Sequence, residues 1–184
     1  MRFAFWVCFC SLGWVARLLA ETRRQFPVWI KKHECPGQPY PVSKLLECKV
    51  NSYRDRPQEI SMAIEISEPQ RRVFLTFTVY MQHQRTRSAL YGTTVDVCKV
   101  MADAEAGTNK VAEVIVDVAR KNFPQILKPC PFEGVFNATG ISMDSNMVLP
   151  YTLPGAYRTE VRYYNKRNQT IVAWNTDFEL RAVS

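Results

Sequence analysis

The feature that most constrains the fold is a two-residue alternation of apolar and polar side chains in the middle of the chain. Residues 60–67 place large apolar side chains at even positions, which is the period of a half-buried strand. Residues 73–82 place a second apolar set at odd positions, and Phe74 interrupts the polar side. Glu68-Pro69-Gln70 predicts a turn between the two runs. We therefore expect an antiparallel hairpin here.

Strands of similar character are predicted along the rest of the chain. Their ranges are Leu45–Tyr53, Ala89–Val97, Gly134–Met143, Gly155–Tyr164 and Thr170–Arg181. A polar loop at 165–169 joins the last two, which predicts a second hairpin. Short strands at regular spacing with turn signals between them are typical of a β-sandwich. We therefore expect a mainly β chain that folds as two packed sheets.

Residues 109–122 carry the one clear helical signal. Their apolar stripe, at the spacing of one helix face, consists of Val111, Val114, Ile115 and Val118. Thr108 or Asn109 can cap the start, and Phe123-Pro124 ends the helix. Because valine is a mediocre helix former, we expect tertiary packing to hold this helix across an edge or end of the sandwich. A strand is the alternative.

The N-terminal segment has the form of a secretory leader. An uncharged apolar run from Phe3 to Ala16 follows Arg2, and a polar ETRR follows Ala20. A basic start, a short apolar core and a small residue before a polar break predict a signal peptide at 1–20, cleaved after Ala20. An uncleaved anchor is the alternative. We expect one secreted domain at 21–184, with no transmembrane segment after cleavage.

Cleavage would also remove Cys8 and Cys10. The four cysteines that remain are Cys35, Cys48, Cys98 and Cys130. An even number in an oxidising compartment predicts two disulfides, whose pairing has three possibilities. Proximity in the sequence favours Cys35–Cys48 and Cys98–Cys130. The absence of C-x-x-C and the presence of only two histidines argue against zinc.

The charge of the chain excludes one class of partner and leaves another open. The net charge is +7, and loss of Arg2 and Arg17 with the leader would leave 7 − 2 = +5. No block of five or more like charges is present, so nucleic acid is not expected as a partner. The basic pairs are either solvated surface or a weak attraction to anionic lipid headgroups. Asn137-Ala-Thr and Asn168-Gln-Thr are acceptors for N-glycosylation, and both asparagines should face solvent.

The sequence contains none of the common catalytic or nucleotide-binding motifs. G-x-S-x-G, H-E-x-x-H, Walker A and Rossmann fingerprints do not occur. His33 and His83 lie in polar stretches and are expected at the surface. Asp96 and Asp144 are interpreted as hydrogen-bonding residues at a strand end and in a turn. We therefore expect a non-enzymatic protein without a cofactor.

Several motifs resemble a large family of secreted insect proteins that is catalogued as a domain of unknown function and includes the CheB chemosensory proteins. They are VDVCK at 95–99, KPCPFEG at 128–134, ISMD at 141–144, VLP at 148–150 and LPGAYR at 153–158. Cys35 and Cys48 stand where that family has its earlier cysteines. The family is distantly similar to the ML lipid-recognition superfamily, which includes the ganglioside-activator protein. The resemblance implies an immunoglobulin-like, cup-shaped sandwich that holds a lipid tail between its sheets.

The inward faces of the predicted strands carry ten large apolar side chains. They are Met62, Ile64, Leu75, Phe77, Val79, Phe136, Tyr157, Val161, Trp174 and Phe178. From the residues alone they form an ordinary close-packed core. The resemblance implies instead that they line a site for a hydrophobic or lipid-like ligand, with a role in chemosensation.

The alternative function is an extracellular protein-recognition module with a solid core. In that case an exposed apolar surface would bind the partner protein. Candidates on otherwise polar strand faces are Phe74, Tyr163 and Tyr164.

Overall fold

The computed structural model describes residues 28–83, 86–122, 124, 127–142 and 153–181. The predicted leader at 1–20 and Asp144 lie outside these residues. The described residues form β1 (Val28–Glu34), β2 (Ser43–Asn51), β3 (Glu59–Gln70), β4 (Val73–Gln82), β5 (Arg87–Asp96), α1 (Val97–Glu105), α2 (Lys110–Asn122), β6 (Phe132–Ser142), β7 (Gly155–Asn165) and β8 (Thr170–Leu180).

The strands form two antiparallel sheets. The larger sheet has the order β1-β8-β7-β4-β5, and the smaller sheet has the order β2-β3-β6. The prediction of a mainly β, immunoglobulin-like two-sheet sandwich is thereby confirmed. The predicted β7–β8 hairpin is confirmed as well. Its turn is fixed by Asn165, whose side-chain oxygen accepts hydrogen bonds from the backbone N–H groups of Arg167 and Gln169.

The predicted hairpin between β3 and β4 is wrong. β3 pairs with β2 and β6, whereas β4 pairs with β5 and β7, so the chain changes sheets at residues 71–72. A register shift between Ile66 and Gln70 bends the end of β3 at the crossing. Asn165 Nδ2 donates to the buried Gln70 side chain over 3.1 Å and ties this crossing to the larger sheet. β3 and β4 therefore belong to different sheets, although they are consecutive in the chain.

The prediction of a single helix is also wrong, because α1 precedes α2. Val97, expected to end a strand, instead begins α1. Asp96 caps this helix, since its side chain accepts a hydrogen bond from Lys99 N over 3.0 Å. Its role as a hydrogen-bonding residue at a strand end is confirmed. Met101, on α1, is buried in the larger of two apolar clusters.

The helix α2 begins and ends within one residue of its prediction, but it faces the other way. Asn109 Oδ1 caps its start by accepting from the N–H groups of Val111 and Ala112. Ala112 and Val116 are buried, and Val116 packs in the same cluster as Met101. The predicted apolar stripe is exposed. Among the described helices, none is both long and apolar enough to cross a bilayer.

Two disulfides connect the layers. Cys35–Cys48 links the chain after β1 to β2, and Cys98–Cys130 links α1 to the segment before β6. The structure thus selects, from three possible pairings, the one that sequence proximity favours. Each bond closes a loop of the unfolded chain and should contribute about 3 kcal/mol or slightly more.

Candidate ligand-binding interior

The inner face of the larger sheet becomes more exposed from β8 to β5. On β8, Thr176 and Phe178 are buried, and on β7, Tyr157 and Val161 are buried. On β4, every inward residue after Val73 is only half-buried. On β5, residues 87–92 are exposed. The part of the chain that the structure describes therefore closes one side of the interior and leaves the other side open.

The side of the interior at β1 and β8 is closed because the smaller sheet is attached to these two strands. Tyr40, just before β2, donates a hydrogen bond to the backbone oxygen of Ala173 on β8 over 2.9 Å. Gln58, just before β3, accepts from Ile30 N on β1 over 2.7 Å. Strands in a sheet lie about 4.8 Å apart, so a three-stranded sheet is narrower than a five-stranded one and leaves part of its inner face uncovered.

The open side contains an apolar surface that we call the open flank: Leu75, Phe77, Val79, Leu90 and Tyr91. The first three are half-buried although β4 is hydrogen-bonded to a strand on both sides. The last two are 56% and 55% exposed. Tyr91 lies opposite Val79, and the register then shifts so that Leu90 has no partner on β4. This bulge places two large apolar residues in succession at the sheet edge, and the rings of Phe77 and Tyr91 lie 6.4 Å apart.

The ten residues predicted to line a ligand site fall into three groups. Met62, Ile64, Phe136 and Trp174 belong to the larger apolar cluster. Val79, Tyr157 and Phe178 belong to a smaller cluster nearer the other end of the sandwich. Leu75, Phe77 and Val161 belong to neither of these clusters. Their assignment as ligand contacts stays a prediction.

A row of five side chains, one from each strand, crosses the inner face of the larger sheet. His33, Thr176, Thr159, Val79 and Tyr91 are cross-strand neighbours in succession from β1 to β5. The row is polar at its closed end and aromatic at its open end. A ligand lying across the strands would therefore meet an imidazole and two threonine hydroxyls toward the closed side and the ring of Tyr91 at the open side.

His33 was expected at the surface, but its side chain lies on the inner face of the larger sheet. A register shift between Ile30 and Lys32 turns it inward on β1, a strand that was not predicted. Its Nδ1 lies 2.9 Å from Thr176 Oγ1, and Nε2 is buried without a hydrogen bond from the described residues. Burial lowers the pKa of His33, so the imidazole is held neutral.

His33 also lies beside the Cys35–Cys48 bond, with a ring nitrogen and both sulfurs within 4.8 Å of one another. Both sulfurs are joined to each other and are not free thiolates. Metal coordination needs deprotonated thiolates, so this group does not form a zinc site while the disulfide is intact.

The outer face of the larger sheet is polar in its middle and aromatic at one end. Arg158 pairs with Asp177, Glu160 and Glu34 at 3.0, 2.8 and 3.4 Å. Farther along the sheet, the half-buried rings of Phe74 and Tyr164 stack 5.4 Å apart.

Tyr163 does not belong to this outer surface, contrary to the sequence-based interpretation. Its ring stacks on Trp174 at 5.8 Å and packs against the larger apolar cluster. Burial raises the pKa of Tyr163 to about 12.

A surface pocket of about 310 Å³ lies at the start of β2, lined by Gln38, Pro39, Tyr40, Ser43, Lys44 and Leu45. None of the ten predicted ligand residues lines it. It lies beside the connection that closes the interior and not within the open flank.

Both glycosylation acceptors are accessible. Asn137 and Thr139 are exposed on β6, and Phe136 and Ala138 are buried, as the alternation predicts. Asn168 is exposed in the β7–β8 turn. Its backbone has φ of 60°, a conformation that asparagine tolerates better than most residues.

Comparison with known proteins adds a family match and a structural likeness. Residues 75–159 match the family DUF1091, described as a protein of unknown function. This segment contains all five motifs of the resemblance and less than half of the chain. A Niemann-Pick type C2 protein from Japanese carpenter ant is similar in structure at 11% identity, with a TM-score of 0.41, over 82% of this chain and 99% of that chain. No curated protein matches the sequence.

Proposed function

We propose that this protein is a secreted, non-enzymatic binding protein for a hydrophobic, lipid-like molecule, which it holds against the open flank. The resemblance to the ML superfamily and the two disulfides support this proposal. The leader at 1–20 is cleaved, the domain at 21–184 is exported, and Asn137 and Asn168 are glycosylated. The chemosensory relatives suggest that the ligand is detected at the body surface or in a sensory fluid.

One observation carries the proposal: a strand inside a sheet leaves its inward apolar side chains half-exposed. Leu75, Phe77 and Val79 would be buried in an ordinary sandwich, because a facing sheet would cover them. Covering them with an alkyl chain gains about 0.8 kcal/mol for each buried CH₂ group. A long-chain ligand thus completes the core that the smaller sheet leaves incomplete.

The test is binding of the neutral apolar probe N-phenyl-1-naphthylamine, together with native mass spectrometry of the purified protein. The variant Phe77→Ser/Tyr91→Ser should weaken probe binding about tenfold or more, because it removes two aromatic contacts. Val135→Ser, which alters an exposed apolar residue on β6, is the matched control and should bind like the wild type. Absence of probe binding, of co-purified lipid and of binding to a fatty-acid panel would refute the proposal.

Protein recognition is the second candidate. The stacked pair Phe74–Tyr164 favours it, since Arg72 and Arg162 lie 5.6 and 4.7 Å from the two rings. Aromatic and arginine side chains are enriched at protein interfaces. Phe74→Ala/Tyr164→Ala should then abolish capture of the partner protein and leave probe binding intact.

A further inference from the structure

The helix α2 presents its apolar stripe to solvent. Val111, Val114 and Ile115 are 67%, 62% and 49% exposed, and Val118 is 55% exposed. The helix is held to the protein by Ala112 and Val116 on its other side. Burial of Ala112 and Val116 does not account for the exposed apolar side chains of Val111, Val114 and Ile115, so the apolar character of these three residues needs another explanation.

Basic residues border this stripe. At about 100° per residue, Lys110 and Lys121 project within about 40° of Val114, one at each end of α2. The acidic residues lie on the same shoulder as these lysines, where Glu113 pairs with Lys110 at 2.9 Å and Asp117 pairs with Arg120 at 3.0 Å. The three basic and two acidic side chains leave this shoulder with a net charge of 3 − 2 = +1. An apolar stripe with lysines at its border is the pattern of a helix that lies in a membrane interface.

The size of the stripe argues against a second copy of the chain. Four partly exposed side chains offer a few hundred Å², and a stable protein interface needs about 800 Å² from each partner. A bilayer has no such requirement, because it deforms around the helix and takes up apolar side chains to a shallow depth.

We propose that α2 docks the protein on the surface of a phospholipid bilayer that contains anionic lipid. Val111, Val114 and Ile115 enter the boundary between headgroups and acyl chains, and Lys110 and Lys121 lie at the headgroup phosphates. The net charge of 7 − 2 = +5 that remains after cleavage of the leader attracts the chain to such a surface. This docking is separate from the open flank and holds whether or not the interior binds a ligand.

The test is co-sedimentation of the purified protein with phosphatidylcholine vesicles, either neutral or containing about 30% phosphatidylserine, at low and high salt. Val111→Ser/Val114→Ser/Ile115→Ser should weaken binding to both vesicles, by about tenfold or more. Lys110→Gln/Lys121→Gln should weaken binding only to the anionic vesicles, by about fivefold for each lysine, and high salt should remove this difference.

Val135→Ser is again the matched control and should bind vesicles like the wild type. Circular dichroism verifies folding, and Val114→Ser alone gives a smaller loss in the same direction if the triple variant unfolds. Three results would overturn the proposal. The first is wild-type protein that stays in the supernatant with anionic vesicles at low salt, and the second is stripe variants that bind as well as wild type. The third is a wild-type dimer by light scattering that the stripe variants convert to monomer, which would assign the stripe to a second copy.

Discussion

Two phenylalanines on the same face of the same sheet have different surroundings. Phe178 on β8 is buried beside Tyr157, with which it stacks at 5.7 Å. Phe77 on β4 is half-buried beside the exposed Tyr91. Both residues alternate with polar neighbours in the sequence. Phe178 packs in an apolar cluster with Val28, Val79 and Leu180, whereas Phe77 belongs to neither apolar cluster. The surroundings of the two rings therefore differ although the local hydrophobic pattern is the same.

The largest expected effect compares these two residues directly. Phe178→Ala should lower the free energy of unfolding by about 3–5 kcal/mol, because it leaves a cavity in a packed cluster. Phe77→Ala should cost only about 1–2 kcal/mol, because its ring is already partly in water. Chemical denaturation of both variants measures the difference. Equal losses would mean that the open flank is as closed as the β8 side.

The next effect concerns the attachment of the smaller sheet. Cys35→Ala/Cys48→Ala should lower the free energy of unfolding by about 3 kcal/mol, because the bond closes a 13-residue separation. Its removal should also make the closed side more accessible, seen as faster hydrogen exchange in β1 and β8. Cys98→Ala/Cys130→Ala is the control, since it should cost a similar free energy without this change in β1. Unchanged exchange in β1 after loss of Cys35–Cys48 would contradict this role of the bond.

The alternation of apolar and polar residues predicted most of the strands. It could not predict which strands pair with each other. The inward face of β8 and the outward position of Asn137 follow from a period of two, which depends only on neighbours in sequence. The sheet change after Gln70 could not be predicted, because a turn signal does not say which sheet the next strand joins. The stripe of α2 misled for a related reason: helical periodicity identifies an apolar face but not what covers it.

The bulge in β1 explains the failure at His33. A register shift puts Ile30 and His33, three residues apart, on one face, so the period of two is broken. The bulge of β5 similarly hides the β5 part of the open flank from sequence reading, since Leu90 and Tyr91 are adjacent and do not alternate. Irregular backbone thus determines the functional candidates that pattern analysis missed.

A smaller effect should appear as pH dependence on the closed side. Burial lowers the pKa of folded His33 below its ordinary value of 6.5, so between the two pKa values the unfolded chain binds more protons. The free energy of unfolding should therefore fall as the pH falls below about 6.5 and level off below the folded pKa. Lys32 and Glu34 pair with each other beside it and leave Thr176 as its polar neighbour.

His33→Gln supplies the control for this titration. Glutamine does not ionise, so denaturation curves between pH 7 and pH 5 should lose the part of the slope that His33 contributes. His83→Gln, which alters an exposed histidine, should leave the contribution of His33 to the slope unchanged. Identical slopes in the wild type and His33→Gln would show that His33 is not held neutral by burial.

The smallest effect is expected at the solvent side of β5. Arg87 pairs with Glu160 at 3.0 Å, with the Arg87 side chain largely exposed. Arg87→Gln should change the free energy of unfolding by about 1 kcal/mol or less, since such pairs are screened by water. A larger loss in thermal unfolding would mean that this pair, and not backbone pairing alone, holds β5 at the open side.

The most direct test of the open flank is photo-crosslinking with a fatty alcohol that carries a diazirine on its chain, followed by peptide mapping. Labelled peptides should come from β4 and β5, around Phe77 and Tyr91, and excess unmodified fatty alcohol should compete the label away. Label confined to β1 and β8, or label spread over the surface without competition, would contradict an interior that is open over β4 and β5.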